Sequence, residues 1–147
     1  MTQLTDKSRR ADHGVGLRFR GTVVHGDARG RLLGFPTANL ELGPGDRFPA
    51  DGVWVARVQV PDRAAAEGAA GAPLVRLAAL SVGTNPTYGG SELRVEAHLL
   101  DFDGDLYDRE MAVEVLAHLR DTVRFDSEAA LVQQIRADVE ATRRWRG

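Results

Sequence analysis

A mainly β domain, in which antiparallel strands close into a barrel and one helix packs outside it, is the fold class this sequence predicts. Two observations carry it. Short runs with alternating or β-branched apolar residues follow one another, several of them ended by Gly or Pro, and a single helical repeat is confined to the C-terminal end. Closure is expected because it removes exposed sheet edges. Periodicity by itself does not separate a closed barrel from an open sandwich.

The elements follow in order. Residues 1–16 are polar, carry Lys7, Arg9 and Arg10 without an apolar run behind them, and read as a disordered tail rather than a signal peptide. The folded domain is expected over 17–147. Leu17, Phe19, Gly21 and Val23 alternate with Arg18, Arg20 and Thr22, which predicts a first strand. Residues 26–36 are rich in Gly and Arg and suit an irregular loop, after which Thr37–Leu42 returns to extended structure. In Val53–Val60, Trp54, Ala56, Val58 and Val60 share one face, and Pro61 ends the strand. The Ala- and Gly-rich tract 62–73 reads as a hairpin loop. Leu74–Val82 and Leu93–Leu100 are two further strands, joined by a turn containing Asn85, Pro86, Gly89 and Gly90. A sixth runs from Met111 to Leu119, with Met111, Val113, Val115, Ala117 and Leu119 on its apolar face. Leu131, Ile135 and Val139 then recur at helical spacing behind Ser127, a suitable N-cap, and Arg143, Arg144 and Arg146 complement the helix C-terminus.

Composition excludes several classes of function. The 147 residues fit one domain, and 19 Lys plus Arg against 21 Asp plus Glu give a net charge of −2, with no global pull toward nucleic acid or an anionic membrane. Cysteine is absent, which removes disulfides and thiolate chemistry and fits a cytoplasmic location. No segment is apolar enough over the length of a membrane-spanning helix.

Three segments carry candidate chemistry. Gly26-Asp-Ala-Arg-Gly30-Arg31-Leu-Leu-Gly34 can bring backbone amides close to an anion, with Arg29 and Arg31 adding charge-assisted contacts to phosphate oxygens. It is neither a Walker loop nor a dinucleotide fingerprint, and a plain surface turn would use glycine equally. In Pro36-Thr37-Ala-Asn39, residues two apart point the same way, so the Thr37 hydroxyl and Asn39 carboxamide could face one hard cation, magnesium by preference. Turn-forming side chains bonded to their own backbone are the alternative. In Val95-Glu96-Ala-His98-Leu99, Glu96 stands opposite an apolar stripe, where a carboxylate can accept a proton or simply be solvated. His25, His98 and His118 have no carboxylate partner visible nearby in the sequence, and Trp54 and Trp145 read as packing residues.

Gly-Phe-Pro-Thr-Ala-Asn-Leu from Gly34, Gly52-Val-Trp, Gly83-Thr-Asn-Pro-Thr, Val95-Glu-Ala-His-Leu-Leu-Asp-Phe, Leu106-Tyr107, Leu119-Arg120 and Arg124-Phe125-Asp-Ser127 resemble, in order and spacing, the riboflavin kinase (flavokinase) family over about Phe19 to Asp138. The resemblance is to a stand-alone version of the C-terminal kinase domain of bacterial bifunctional riboflavin kinase/FMN adenylyltransferase. It implies a closed six-stranded Greek-key barrel with nucleotide and flavin meeting at one end. It also implies transfer of the γ-phosphate of ATP to the ribityl 5′-hydroxyl of riboflavin, giving FMN and ADP. Thr37 and Asn39 match the ligands of Mg2+, for which Mn2+ or Zn2+ could substitute. Gly26, Arg31 and Gly34 match the loop over ATP, and Glu96 matches the catalytic base. Tyr107 matches a position near the nucleotide, and Arg120 and Phe125 match the segment that covers the flavin. Asp108 departs from the family's usual glycine, although Asp tolerates a left-handed backbone better than most residues. The adenylyltransferase activity is expected to be absent, since Met1 stands just before the barrel motifs, and a monomer is expected. Two rivals are a catalytically inactive flavin- or nucleotide-binding regulator on the same barrel, and an oligonucleotide-binding barrel. Net negative charge and 6% aromatic content weigh against the second.

Overall fold

Inward-facing residues on six strands form one continuous apolar core, and the strands close on themselves. The computed structural model describes residues 14–24, 37–43, 45–61, 72–87, 90–102, 104 and 106–146. The strands are β1 (Arg18–Val24), β2 (Ala38–Glu41), β3 (Gly52–Val60), β4 (Leu74–Thr87), β5 (Gly90–Leu99) and β6 (Glu110–Arg120), followed by helix α1 (Glu128–Arg144). Around the closed barrel the order is β1-β2-β5-β4-β3-β6, antiparallel throughout. Strands β3, β4 and β5 follow one another as neighbours and β6 returns beside β3, which is the Greek-key connection.

Alternation explains the core. Phe19 and Val23 of β1, Trp54, Ala56, Val58 and Val60 of β3, Leu80 and Val82 of β4, and Val95 and Ala97 of β5 all belong to the same buried cluster. A second buried layer lies on the outside of the barrel. Val53, Val55 and Ala79 are buried on the opposite face of their strands, where α1 lies against β4. Ser127 caps α1 as expected, its hydroxyl accepting from the Ala130 amide at 3.1 Å.

Three features differ from the expectations. Gly14 is buried against Pro49 and the Trp54 ring, and Gly16 donates its amide to the Val115 carbonyl, so residues 14–16 of the expected tail pack on the barrel; residues 1–13 lie outside the described residues. The β4–β5 ladder runs without interruption to Thr87↔Gly90, so Asn85 and Pro86 are strand residues rather than turn residues. Pro86 is tolerated there because β3 pairs with β4 only as far as Gly52↔Val82; beyond it the Thr84 amide bonds to the Asp51 carboxylate, and among the described residues no strand pairs with that edge of β4 at Pro86.

The third difference lies in β6. Met111, Val113 and Val115 face inward as expected, but the register with β3 then slips twice, between Val55 and Ala56 and between Val53 and Trp54. Each slip leaves one extra residue on β6, Leu116 and then Leu119, and reverses the sidedness of the residues beyond it. Ala117 therefore pairs with outward Val55, His118 turns inward against Trp54, and Arg120 emerges on the outer face beside Val53. The single apolar face expected through Leu119 ends at Val115. His118 also has a carboxylate near it, Asp121 Oδ1 at 3.4 Å, which the sequence did not indicate.

Gly52 opens β3 against this irregular end of β6. Its φ is +151°, and a Cβ there would stand 3.0 Å from the Arg120 carbonyl oxygen and 3.2 Å from His118 Nε2. Gly52→Ala is expected to destabilise the fold by about 1–3 kcal/mol, read as a fall in the urea midpoint at unchanged slope.

Candidate active site on the outer wall of the barrel

The register fixes the neighbours of three sequence candidates, which spacing could not do. Ala38 and Leu40 of β2 and Val95 and Ala97 of β5 point into the core, so Asn39 and Glu96 point outward. Asn39 and Glu96 are direct cross-strand partners, and side chains so paired hold their Cβ atoms about 5 Å apart. Both are half-buried, as is Thr37 immediately before β2. The same row continues through Ser81 of β4, Val53 of β3 and Arg120 of β6, each the partner of the one before. The candidates therefore lie along the outer wall, rather than gathered in the opening at one end.

Thr37 also lines a small cavity of about 40 Å³ with Val23, Leu99, Phe102, Leu106 and Tyr107. This joins Tyr107 to Thr37 at the end of the barrel where β1, β3 and β5 finish. Asp108, next in the chain, adopts φ +68°, the left-handed backbone anticipated for it, and its amide donates to the Val23 carbonyl at 2.8 Å. Gly26, Arg31 and Gly34 lie outside the described residues; the anchors of their segment, Val24 and Thr37, stand at this same end.

At the far end of the row, Arg120 is held tightly. Its Nε and Nη2 each donate to one carboxylate oxygen of Asp138 at 2.8 Å, and Gln134 donates to Asp138 Oδ1 at 3.0 Å. The guanidinium carbon lies 6.0 Å from the Phe125 ring centroid, within cation–π range. Arg120 and Phe125 are thus brought together, with Arg120 linking the end of β6 to α1. Sequence reading missed Asp138. The expected helix stripe of Leu131, Ile135 and Val139 is half-buried, and the fully buried positions of α1 are Asp138 and Thr142 beside it. The i, i+4 pair Gln134 and Asp138 beside the apolar stripe was the available signal.

The other end of α1 is pinned by Arg143, which donates two hydrogen bonds to Asp101 at 2.9 and 3.1 Å. Those bonds hold the Asp101 carboxyl below its ordinary range and push Arg143 further up. A depressed carboxylate contributes stability above its ordinary value and loses it as pH falls through the lowered one, so this exposed pair weakens only in acid.

A hard cation fits the donor set. Among the described residues no group of three or more His, Cys, Asp or Glu could hold a metal, whereas the Thr37 hydroxyl and Asn39 carboxamide are neutral oxygens of the kind magnesium accepts when phosphates supply the rest. Among the described residues, no helix is long and apolar enough to cross a membrane.

Known proteins resemble this chain in sequence and in fold. The family model for riboflavin kinase (Flavokinase) matches residues 13–146. The chain is 40% identical over 127 residues to the bifunctional riboflavin kinase/FMN adenylyltransferase of Pseudomonas fluorescens, covering 86% of this chain and 37% of that protein. It is 38% identical to the Escherichia coli K12 protein of the same name, with the same coverage. The chain thus spans little more than a third of the length of these relatives. Riboflavin kinase from Trypanosoma brucei superposes with a TM-score of 0.56 at 29% identity, over 86% of this chain and 74% of that one. A Streptococcus pneumoniae structure named as a macrolide-efflux protein superposes with a TM-score of 0.78 at 42% identity, over 90% of this chain and 40% of that one. With the family model matched over nearly its whole length on a closed Greek-key barrel, this chain belongs to the riboflavin kinase family.

Proposed function

We propose that this protein transfers the γ-phosphate of ATP to the 5′-hydroxyl of riboflavin, releasing FMN and ADP, with Mg2+ held by Thr37 and Asn39. The observation that carries the reading is the cross-strand pairing of Asn39 with Glu96 on the outer wall, which sets a metal-type ligand and a carboxylate side by side. Phosphoryl transfer asks little covalent chemistry of the protein; it needs the attacking and leaving oxygens in line and the developing charge neutralised.

Each residue then has a defined task. Glu96 accepts a hydrogen bond from the acceptor hydroxyl, orients it and takes its proton as the bond to phosphorus forms. Thr37 and Asn39 bind the cation and orient the phosphates. When bound, the cation supplies positive charge to the phosphoryl oxygens. Gly26, Arg31 and Gly34 belong to the segment over the triphosphate, and Tyr107 lines the cavity that Thr37 shares. Arg120 and Phe125 border the flavin side.

Incubation with riboflavin, ATP and MgCl2, followed by chromatography for FMN and ADP in equal amounts, tests the proposal. Metal- and ATP-dependent FMN formation is the expected result. Riboflavin or nucleotide binding without FMN would replace the kinase reading with that of an inactive regulator.

A further inference from the structure

Gly83 occupies a position for which the described residues of the fold offer no reason. Val82 is fully buried in the core, so Gly83 and Ser81 both face outward from β4. Interior strand glycines usually mark a bulge, a left-handed backbone or a close approach by something else. Here the β4–β5 register passes through Gly83↔Arg94 without a shift, which removes the bulge. Gly83 is not among the positive-φ glycines, which removes the left-handed backbone. A Cβ built on it would meet nothing within 4 Å among the described residues, so none of these requires its absence.

Its place relative to the catalytic candidates suggests what does. Ser81 is the direct partner of Glu96, and Gly83 lies two residues further along β4, about 7 Å away on the same face. Thr37 lies beyond Asn39 in the opposite direction along the strands. Glu96 therefore stands between the phosphate end of the wall and Gly83, whose own cross-strand partner is Arg94. In-line transfer demands the same order, with the donor on one side of the base and the body of the acceptor on the other.

We infer that Gly83 is left without a side chain so that the acceptor can lie directly on the β4 backbone, with Ser81 beneath the chain that leads to the reacting hydroxyl. The inference rests on the kinase reading and deepens it: Gly83 sets the size of acceptor that this wall accepts. A flat, fused-ring compound carrying a polyhydroxylated chain fits such a floor, because a ring face needs a smooth surface and the chain needs hydroxyl partners such as Ser81.

A size series at this position tests it. Gly83→Ala and Gly83→Val are expected to keep the wild-type thermal midpoint and ATP KM, while riboflavin KM rises with side-chain size, reaching about tenfold or more for valine. Riboflavin affinity measured by quenching of flavin fluorescence should weaken in parallel. An unchanged riboflavin KM and affinity in a folded Gly83→Val protein would overturn the inference. So would a lowered midpoint with riboflavin affinity intact, which would make Gly83 a bend glycine. If valine prevents folding, the alanine variant carries the same comparison. Should the wild-type protein form no FMN, the kinase reading fails, and the fluorescence titration of the same variants still decides whether flavin lies on Gly83.

Discussion

Glu96→Gln is expected to lower turnover about 100-fold or more while leaving the thermal midpoint and the affinities for riboflavin and ATP close to those of the native protein. The substitution keeps the shape of the side chain and its capacity to accept a hydrogen bond, and removes only its capacity to take the proton. Its position makes the result interpretable. Glu96 faces outward and half-buried, opposite Asn39 on one side and Ser81 on the other, so the core beneath it, Val95 and Ala97, is untouched. Loss confined to kcat would mean that Glu96 acts in the transition state, whereas a rise in riboflavin KM alone would demote it to a binding contact. Turnover near the native value in the glutamine variant would remove it from the mechanism. Single-turnover quench experiments separate this chemical step from product release.

Asp138→Ala should produce the largest loss of stability. It leaves the Arg120 guanidinium partly buried without its carboxylate, and breaking such a pair costs about 3 kcal/mol, the lower end of the usual range because the Arg120 side chain keeps 22% of its exposure. For a chain of this length that corresponds to a fall in thermal midpoint of about 10 °C. Replacing both partners with apolar residues, Arg120→Met with Asp138→Leu, is expected to recover most of the loss, since no charge is then left buried. The pair of variants also resolves what Arg120 does for the flavin. Stability recovered without riboflavin affinity assigns the guanidinium a flavin contact of its own, made from its position over Phe125. Recovery of both assigns it to the placement of α1 alone.

The amino-acid sequence determined much of this protein unaided. Alternation in β1, β3 and β5 marked their inward faces correctly, because a two-residue period leaves a strand buried on one side little freedom. Ser127 announced the start of α1 through its own hydroxyl, and the ordered succession of short motifs led to the family that the whole-chain comparison shows. These are local signals, written in the residues that carry them. Tertiary structure alone decided the rest. The two slips in β6 turn His118 inward against Trp54 and then cancel, so Arg120 returns to the outer face, where it meets Asp138, eighteen residues further on. Likewise, Asn39, Glu96 and Ser81 became neighbours only when β2, β5 and β4 paired in one register. Strand spacing says which side of its own strand a residue faces; which residue stands beside it is set by closure of the barrel, a property of the whole chain.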